Sequence, residues 1–285
     1  MKIGFIGLGN LGAVIAENIV SSGRELAVYN RTASKTKALT DKGAKAYPSV
    51  KALAENCDII LSIVSDDAAL KSVSEELLNS MKAGGIHVSM STILPQTAEE
   101  LAAGHTKNGL HYVAAPVFGR PEAARARKLN FVLSGEEKIR KIAEPILKDG
   151  GGAGVWDFGE SITAANTIKL CGNFMIAAAM EAIGESVGMA EKAGLDTQKM
   201  WNFFTQTIFN SPIYINYGTT IVNKAFEPAA FTAQLGLKDM KLVNEQARQL
   251  KQPAPLANLL QQHMEYLVNN GQAHLDWSAV ATAAK

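Results

Sequence analysis

Excess charge of either sign is missing from this chain. Its 285 residues carry 28 Lys and Arg against 27 Asp and Glu, for a formal net charge of +1. A surface built to bind nucleic acid needs a basic excess to neutralise phosphates, so no nucleic-acid partner is expected. Charged residues are scarce as well, at 19% where about 25% is usual. With many small apolar residues present, that deficit points to surface buried between domains or subunits. Cysteine is nearly absent: Cys57 and Cys171 lie far apart, form no C-x-x-C, and read as buried thiols of a reducing compartment. No apolar run suits a membrane, because the most apolar helical stretch, around 170–190, contains Asn173, Glu181 and Glu185. The apolar start is broken by Gly7, Gly9 and Gly12 with no small-residue cleavage site after it, so no signal peptide is expected and the chain reads as soluble and cytoplasmic. There is no internal repeat. The run Gly150-Gly151-Gly152-Ala153-Gly154 lacks the Lys-Ser/Thr of a P-loop and reads as a helix-to-strand connection.

What is present is alternation. Short apolar runs at 2–7, 26–29, 58–64, 86–89 and 111–114 read as strands, with helical patterns at 10–22, 33–42, 67–81 and 95–107 between them. This order calls for an α/β fold, a doubly wound parallel sheet with helices on both faces. A later strand pair at 130–134 and 154–158 flanks a helix at 136–148. From Ile162 to Ala193 the spacing is helical without a proline, longer than an ordinary helix and suited to bridging two domains. Further helices are expected near 197–207, 211–223, 233–250, 255–269 and 276–283, with no convincing strand among them. The expected division is 1–160 and 161–285, with the long helix at about 161–193.

The first strand runs straight into Gly7-Leu8-Gly9-Asn10-Leu11-Gly12 and a helix. In G-x-G-x-x-G the first glycine permits a tight turn, the second lets backbone approach a pyrophosphate, and the third lets the helix pack on the sheet. The helix start then offers free N–H groups and a positive dipole end to phosphates. The end of the second strand selects the dinucleotide. NAD sites commonly place Asp or Glu there for the ribose 2′-hydroxyl; this chain has Asn30. An amide does not repel a 2′-phosphate, Arg31 can pair with one, Thr32 can donate a hydroxyl, and Lys35 adds charge. The expected cofactor is NADP (NADPH), with Val64 and Ser65 at the end of the 58–64 strand also beside it.

Chemistry on that cofactor needs a group to handle a carbonyl or alcohol proton. Lys169 stands early in the long apolar helix, with Asn173 four residues later on the same face and Asn166 on roughly that side. Such a lysine either has a functional role or snorkels to solvent, and spacing alone leaves both open.

The glycine motif, Ser91-Thr92, Ala115-Pro116-Val117-Phe118-Gly119-Arg120-Pro121, Lys169 with Asn173, and Lys238-Asp239 occur in an order that resembles the β-hydroxyacid dehydrogenases. That family includes 3-hydroxyisobutyrate dehydrogenase, tartronate semialdehyde reductase and the glyoxylate and succinic semialdehyde reductases. The resemblance covers nearly the whole chain. It implies a Rossmann-type domain linked by a long helix to an all-α C-terminal domain, in a homodimer or homotetramer. It implies Lys169 as the general acid/base, Asn173 and Ser91 near the substrate, Thr92 near substrate and nicotinamide, and Lys238 closing over cofactor and substrate with Asp239 beside it. An unperturbed lysine is protonated at neutral pH, its pKa being about 10.4, which favours reduction of a small carbonyl compound over oxidation of a hydroxyacid.

The chain departs from the family where Ser-Gly-Gly usually receives the substrate carboxylate. Phe118 sets an aromatic wall there, next to Gly119. Arg120 either clamps a carboxylate or turns to solvent, and Pro121 stiffens the loop. Ser89 also stands where many members have Asp. No named member's substrate therefore carries over, and the greater length of the 6-phosphogluconate dehydrogenases argues against a sugar phosphate. Imine reductases, of similar fold, generally lack the lysine. A non-catalytic dinucleotide-bound interaction domain is the third reading, and the retained Lys169 argues against it.

Overall fold

A computed structural model describes residues 1–283; the last two residues of the expected 161–285 segment lie outside them. The chain divides into two compact units, Met1–Lys169 and Leu170–Lys285. The first alternates as its apolar pattern predicts: β1 (Ile3–Ile6), α1 (Asn10–Ser21), β2 (Leu26–Tyr29), α2 (Lys37–Thr40), β3 (Lys45–Ala46), α3 (Val50–Ala54), β4 (Ile59–Ser62), α4 (Asp67–Leu78), β5 (Ile86–Ser89), α5 (Pro95–Lys107) and β6 (His111–Ala114). Every residue of β1, β4 and β5 is buried, as in parallel strands covered by helices on both faces. The strands run parallel in the order β3-β2-β1-β4-β5-β6. The order reverses between β1 and β4, and open sheets of this kind bind ligands at the carboxyl ends of the strands at that point.

The sheet continues through β7 (Val117–Phe118), α6 (Pro121–Arg125), β8 (Leu129–Gly135), α7 (Glu137–Asp149) and β9 (Gly152–Asp157). On antiparallel β8, Val113 faces Gly135, Ala114 faces Ser134, Val117 faces Phe131 and Phe118 faces Asn130. The register is unbroken, so β6 and β7 are one line of chain interrupted at Ala115-Pro116. The Pro116 carbonyl still accepts the Val132 N–H at 2.9 Å. β9 lies parallel on the other side of β8.

Several details differ from the sequence reading. The elements β3, α3, β7 and α6 are too short to show a period. The expected 33–42 helix is a 3-10 turn, Ala33–Thr36, followed by α2. Only part of the glycine run is a connection: Gly150 ends α7 and Gly151 turns at φ +106°, but Gly152 already begins β9. A Cβ on Gly152 would sit 3.0 Å from the Leu147 carbonyl oxygen and 3.1 Å from the Phe131 ring, so close packing between strand and helix accounts for it. Cys57 is buried, and burial pushes its thiol up to about 11. Cys171, expected to be buried, is exposed; two residues beyond Lys169, an α-helix has turned by about 200°.

The long helix α8 (Ala164–Lys192) starts in the first unit and continues in the second. The second unit is otherwise α9 (Thr197–Gln206), α10 (Pro212–Val222), α11 (Ala233–Gln249), α12 (Pro255–Asn269) and a 3-10 turn, Trp277–Thr282, where a helix over 276–283 was expected. Pro212 and Pro255 occupy first turns, where their missing N–H costs nothing. Asp196 caps α9 and Thr232 caps α11 by accepting backbone N–H groups. Trp277 packs edge-on against Tyr217 and Phe231, with ring centroids 5.9 and 4.9 Å away. No helix among the described residues is long and apolar enough to cross a membrane.

Candidate active site

At the end of β1 the three motif glycines have three different environments. Gly7 turns at φ +98°, and a Cβ there would overlap the Ile63 carbonyl oxygen. A Cβ on Gly12 would overlap the Gly7 carbonyl oxygen. Gly9 has nothing within 4 Å of its Cβ position, so the protein leaves that space open. Gly9 also begins α1 without a side-chain cap, and the first turn holds no acidic residue. The N–H groups of that turn therefore suit an anion. An open cradle beside an uncapped helix start fits the pyrophosphate of a dinucleotide.

These environments separate two variants. Gly9 has an ordinary extended backbone, φ −73° and ψ −174°, so Gly9→Ala is expected to fold with wild-type stability and to bind the dinucleotide at least tenfold more weakly, a loss of about 1.4 kcal/mol. Gly12→Ala is expected to lose stability by about 1–3 kcal/mol through overpacking. Thermal unfolding and a cofactor titration on both proteins check this.

Asn30 ties the loop to the end of β2. Its Oδ1 accepts the Leu8 N–H at 2.8 Å and its Nδ2 donates to the Thr32 carbonyl at 2.9 Å. An aspartate would accept the first bond but would face the Thr32 carbonyl with a second oxygen. The amide thus has a local reason to be there, independent of any phosphate. Arg31, Thr32 and Lys35 are all exposed around this turn, and Leu8 beneath it is buried.

The next two strand ends are bonded together. The Ser91 hydroxyl, 1% exposed, accepts the Val64 N–H at 2.9 Å, and Ser65 donates to Asp66 at 2.8 Å. Beneath them lies a buried chain that sequence reasoning missed. Ser62 Oγ is 2.8 Å from His87 Nε2, His87 Nδ1 is 3.2 Å from His105 Nε2, and His105 Nδ1 is 2.7 Å from the Leu101 carbonyl. A carbonyl only accepts, so His105 Nδ1 carries a proton. Its Nε2 then accepts from His87 Nδ1–H, and His87 Nε2 accepts from the Ser62 hydroxyl. Burial holds both rings well toward the neutral form.

At the other end of the first unit, Lys169 is 8% exposed and its Nζ sits 4.0 Å from the centroid of the Phe118 ring. It does not snorkel. Phe118 belongs to the line of chain broken at Pro116 and packs against the cluster containing Leu70, Ile93, Leu101 and Val132. Gly119 turns at φ +136°, and a Cβ there would overlap Leu129. The Arg120 backbone begins α6, with Pro121 in its first turn; its side chain is half-buried. One helical turn before Lys169, Asn166 is 1% exposed and neither amide atom has a hydrogen-bond partner among the described residues.

Within the second unit, Asp239 is 1% exposed and joins two expected site residues. It accepts Asn173 Nδ2 at 2.5 Å on one oxygen and pairs with Lys238 Nζ at 2.8 Å on the other. This is not a surface pair. Sequence reasoning placed Asp239 beside Lys238 without assigning it a task.

Residues 2–163 match the family described as the NAD binding domain of 6-phosphogluconate dehydrogenase. Residues 163–284 match that described as the NAD-binding domain of NADP-dependent 3-hydroxyisobutyrate dehydrogenase. The chain is 40% identical to the "uncharacterized oxidoreductase YfjR" of Bacillus subtilis (strain 168), over 100% of both chains. It is 28% identical to the mitochondrial 3-hydroxyisobutyrate dehydrogenase of Drosophila melanogaster, over 98% of this chain and 88% of that one. Among solved structures, the 3-hydroxyisobutyrate dehydrogenase of Mycobacterium tuberculosis with L-serine superposes with a TM-score of 0.90 at 24% identity, over 100% of this chain and 99% of the other, a likeness of fold.

Proposed function

Because the chain belongs to the β-hydroxyacid dehydrogenase family of nicotinamide-dinucleotide-dependent oxidoreductases, we propose that it reduces a small aldehyde or keto acid with NADPH, with Lys169 as general acid. The reverse reaction is oxidation of a β-hydroxyacid. The observation that carries this reading is a lysine withdrawn from solvent onto an aromatic face, one helical turn before Asn173.

When bound, the dinucleotide supplies the hydride. The open position at Gly9 and the start of α1 would receive the pyrophosphate, and Arg31, Thr32 and Lys35 the 2′-phosphate. Val64, Ser65, Thr92 and Lys238 are the further residues assigned to the cofactor, and Ser91, Phe118, Gly119, Arg120 and Asn173 those assigned to the substrate. Lys169 gives a proton from Nζ to the carbonyl oxygen as negative charge develops there, and regains one from water afterwards. The Phe118 ring face lies against Nζ and holds the lysine head in place. Asp239 fixes the Asn173 amide by one end and so sets its orientation.

The test is a fluorescence titration with NADPH and NADH, followed by turnover of glyoxylate, succinic semialdehyde and a cyclic imine. NADPH is expected to bind at least tenfold tighter, about 1.4 kcal/mol, and Arg31→Ala to erase most of that preference. Equal affinity for both cofactors overturns the NADP assignment. Faster turnover of the imine than of either carbonyl compound makes the protein an imine reductase, and binding without turnover makes it a non-catalytic dinucleotide-binding domain.

The proposal extends to a homodimer or homotetramer. The second unit exposes Met175, Met189, Leu195, Phe203 and Ile208, large apolar side chains that a second copy of the chain would cover. Sedimentation at micromolar concentration is expected to give a species of at least twice the chain mass. A compact monomer would contradict it.

A further inference from the structure

The geometry points to Asn166 as a positioning residue that binds the carboxamide of the nicotinamide ring. This rests on the reading above, that a nicotinamide dinucleotide binds beside Lys169. Asn166, Lys169 and Asn173 follow one another at spacings of three and four on α8, so they form one stripe of the helix. All three are buried, at 1%, 8% and 4% exposure. Lys169 has the Phe118 ring and Asn173 has Asp239. Among the described residues, Asn166 has no hydrogen-bond partner on either Oδ1 or Nδ2.

A buried polar group left unpaired is destabilising, and more than about 90% of buried polar groups in folded proteins are paired. Leucine, of similar size, would fill the same place without that penalty. The side chain therefore answers to a partner from outside the chain. Because both amide atoms lack partners, that partner must accept and donate at once. A primary carboxamide does so in the complementary sense: Asn166 Nδ2–H donates to its oxygen, and its N–H donates back to Asn166 Oδ1. Nicotinamide carries such a group on the ring carbon next to the one that exchanges hydride. Holding it fixes the rotation of the ring relative to the lysine one turn along the helix.

Binding, not turnover, tests this. Dissociation constants are measured for NADP, for its 3-acetylpyridine analogue (a methyl ketone in place of the amide) and for adenosine 2′,5′-bisphosphate, with wild type and Asn166→Leu. Wild type is expected to bind the analogue about tenfold more weakly than NADP. In Asn166→Leu the two are expected to bind alike, with adenosine 2′,5′-bisphosphate unchanged. Equal affinity of wild type for NADP and the analogue overturns the inference without any variant. Discrimination kept in Asn166→Leu overturns it too, and assigns the amide to ordered water. Should the leucine variant fail to bind adenosine 2′,5′-bisphosphate through misfolding, Asn166→Ser provides the same comparison. If wild type binds neither dinucleotide, the cofactor reading itself fails, a result distinct from a loss of carboxamide discrimination alone.

Discussion

Replacing Lys169 with alanine is expected to lower turnover of the best carbonyl substrate by about 10²–10⁴-fold, the range for a removed general acid. NADPH affinity is expected to stay within about threefold, or ~0.7 kcal/mol, because the loop at Gly9 and the turn at Arg31 lie at other strand ends. Lys169→Arg restores the charge and much of the contact with Phe118, yet a guanidinium does not release a proton near neutrality. It is expected to stay within about tenfold of the alanine variant. Phe118→Leu removes the ring face and keeps an apolar side chain. A cation–π contact contributes about 0.5–2 kcal/mol, so its effect on turnover is expected at roughly 2- to 30-fold. Single-turnover measurement of NADPH oxidation separates the chemical step from product release. Wild-type turnover in Lys169→Ala would remove the assigned acid while leaving the nucleotide site untouched.

The proposed site residues were not equally legible in the sequence. The glycine loop was visible because its requirements are local: Gly7 and Gly12 clash with neighbouring carbonyls if given a Cβ, and the strand before and helix after are written in adjacent residues. The parallel sheet was visible because β1, β4 and β5, buried at every position, lie in short and mostly apolar runs that alternate with helical patterns. Lys169 stood out as a charge in an apolar helix, but its partner Phe118 comes from a β-strand far upstream, and no period links the two. The Lys238-Asp239 pair was harder still. Adjacent helical residues point about 100° apart and do not face each other, so the dipeptide gave no sign that a buried carboxylate joins Lys238 to Asn173. Ser91 shows the opposite case, a hydroxyl expected at the substrate whose oxygen also accepts a backbone N–H. Asn30 was read through its charge alone, whereas its two hydrogen bonds to the loop and turn favour an amide on geometric grounds.

Acidification from pH 7.5 to 5.5 is expected to cost the folded state roughly 2 kcal/mol through the His87–His105 chain. In the fold, burial disfavours the charged form of both rings, and the proximity of His105 adds to the effect at His87. The hydrogen bonds point the same way: with both rings protonated, His87 Nδ1–H and His105 Nε2–H would face each other, so the pair cannot charge fully and keep the chain from Ser62 to Leu101. In the unfolded chain both histidines titrate near 6.5. Above that pH, folded and unfolded states bind the same number of protons and the rings impose no pH dependence. Below it the unfolded chain binds more protons, so stability falls with pH by up to about 1.4 kcal/mol per unit for each ring. The loss continues until the folded rings themselves accept protons. Denaturant titrations at the two pH values measure it, with His105→Gln for comparison. That variant is expected to be less stable at pH 7.5, because the His87 Nδ1–H loses its ring acceptor, but to lose less on acidification. An equal pH dependence in wild type and variant would show that other groups carry it. The chain ends on Ser62, two residues before Val64, whose N–H is bonded to Ser91. Cofactor affinity is therefore expected to weaken over the same pH range, before global unfolding, because the strand ends proposed to border the cofactor stand directly on the neutral histidine pair.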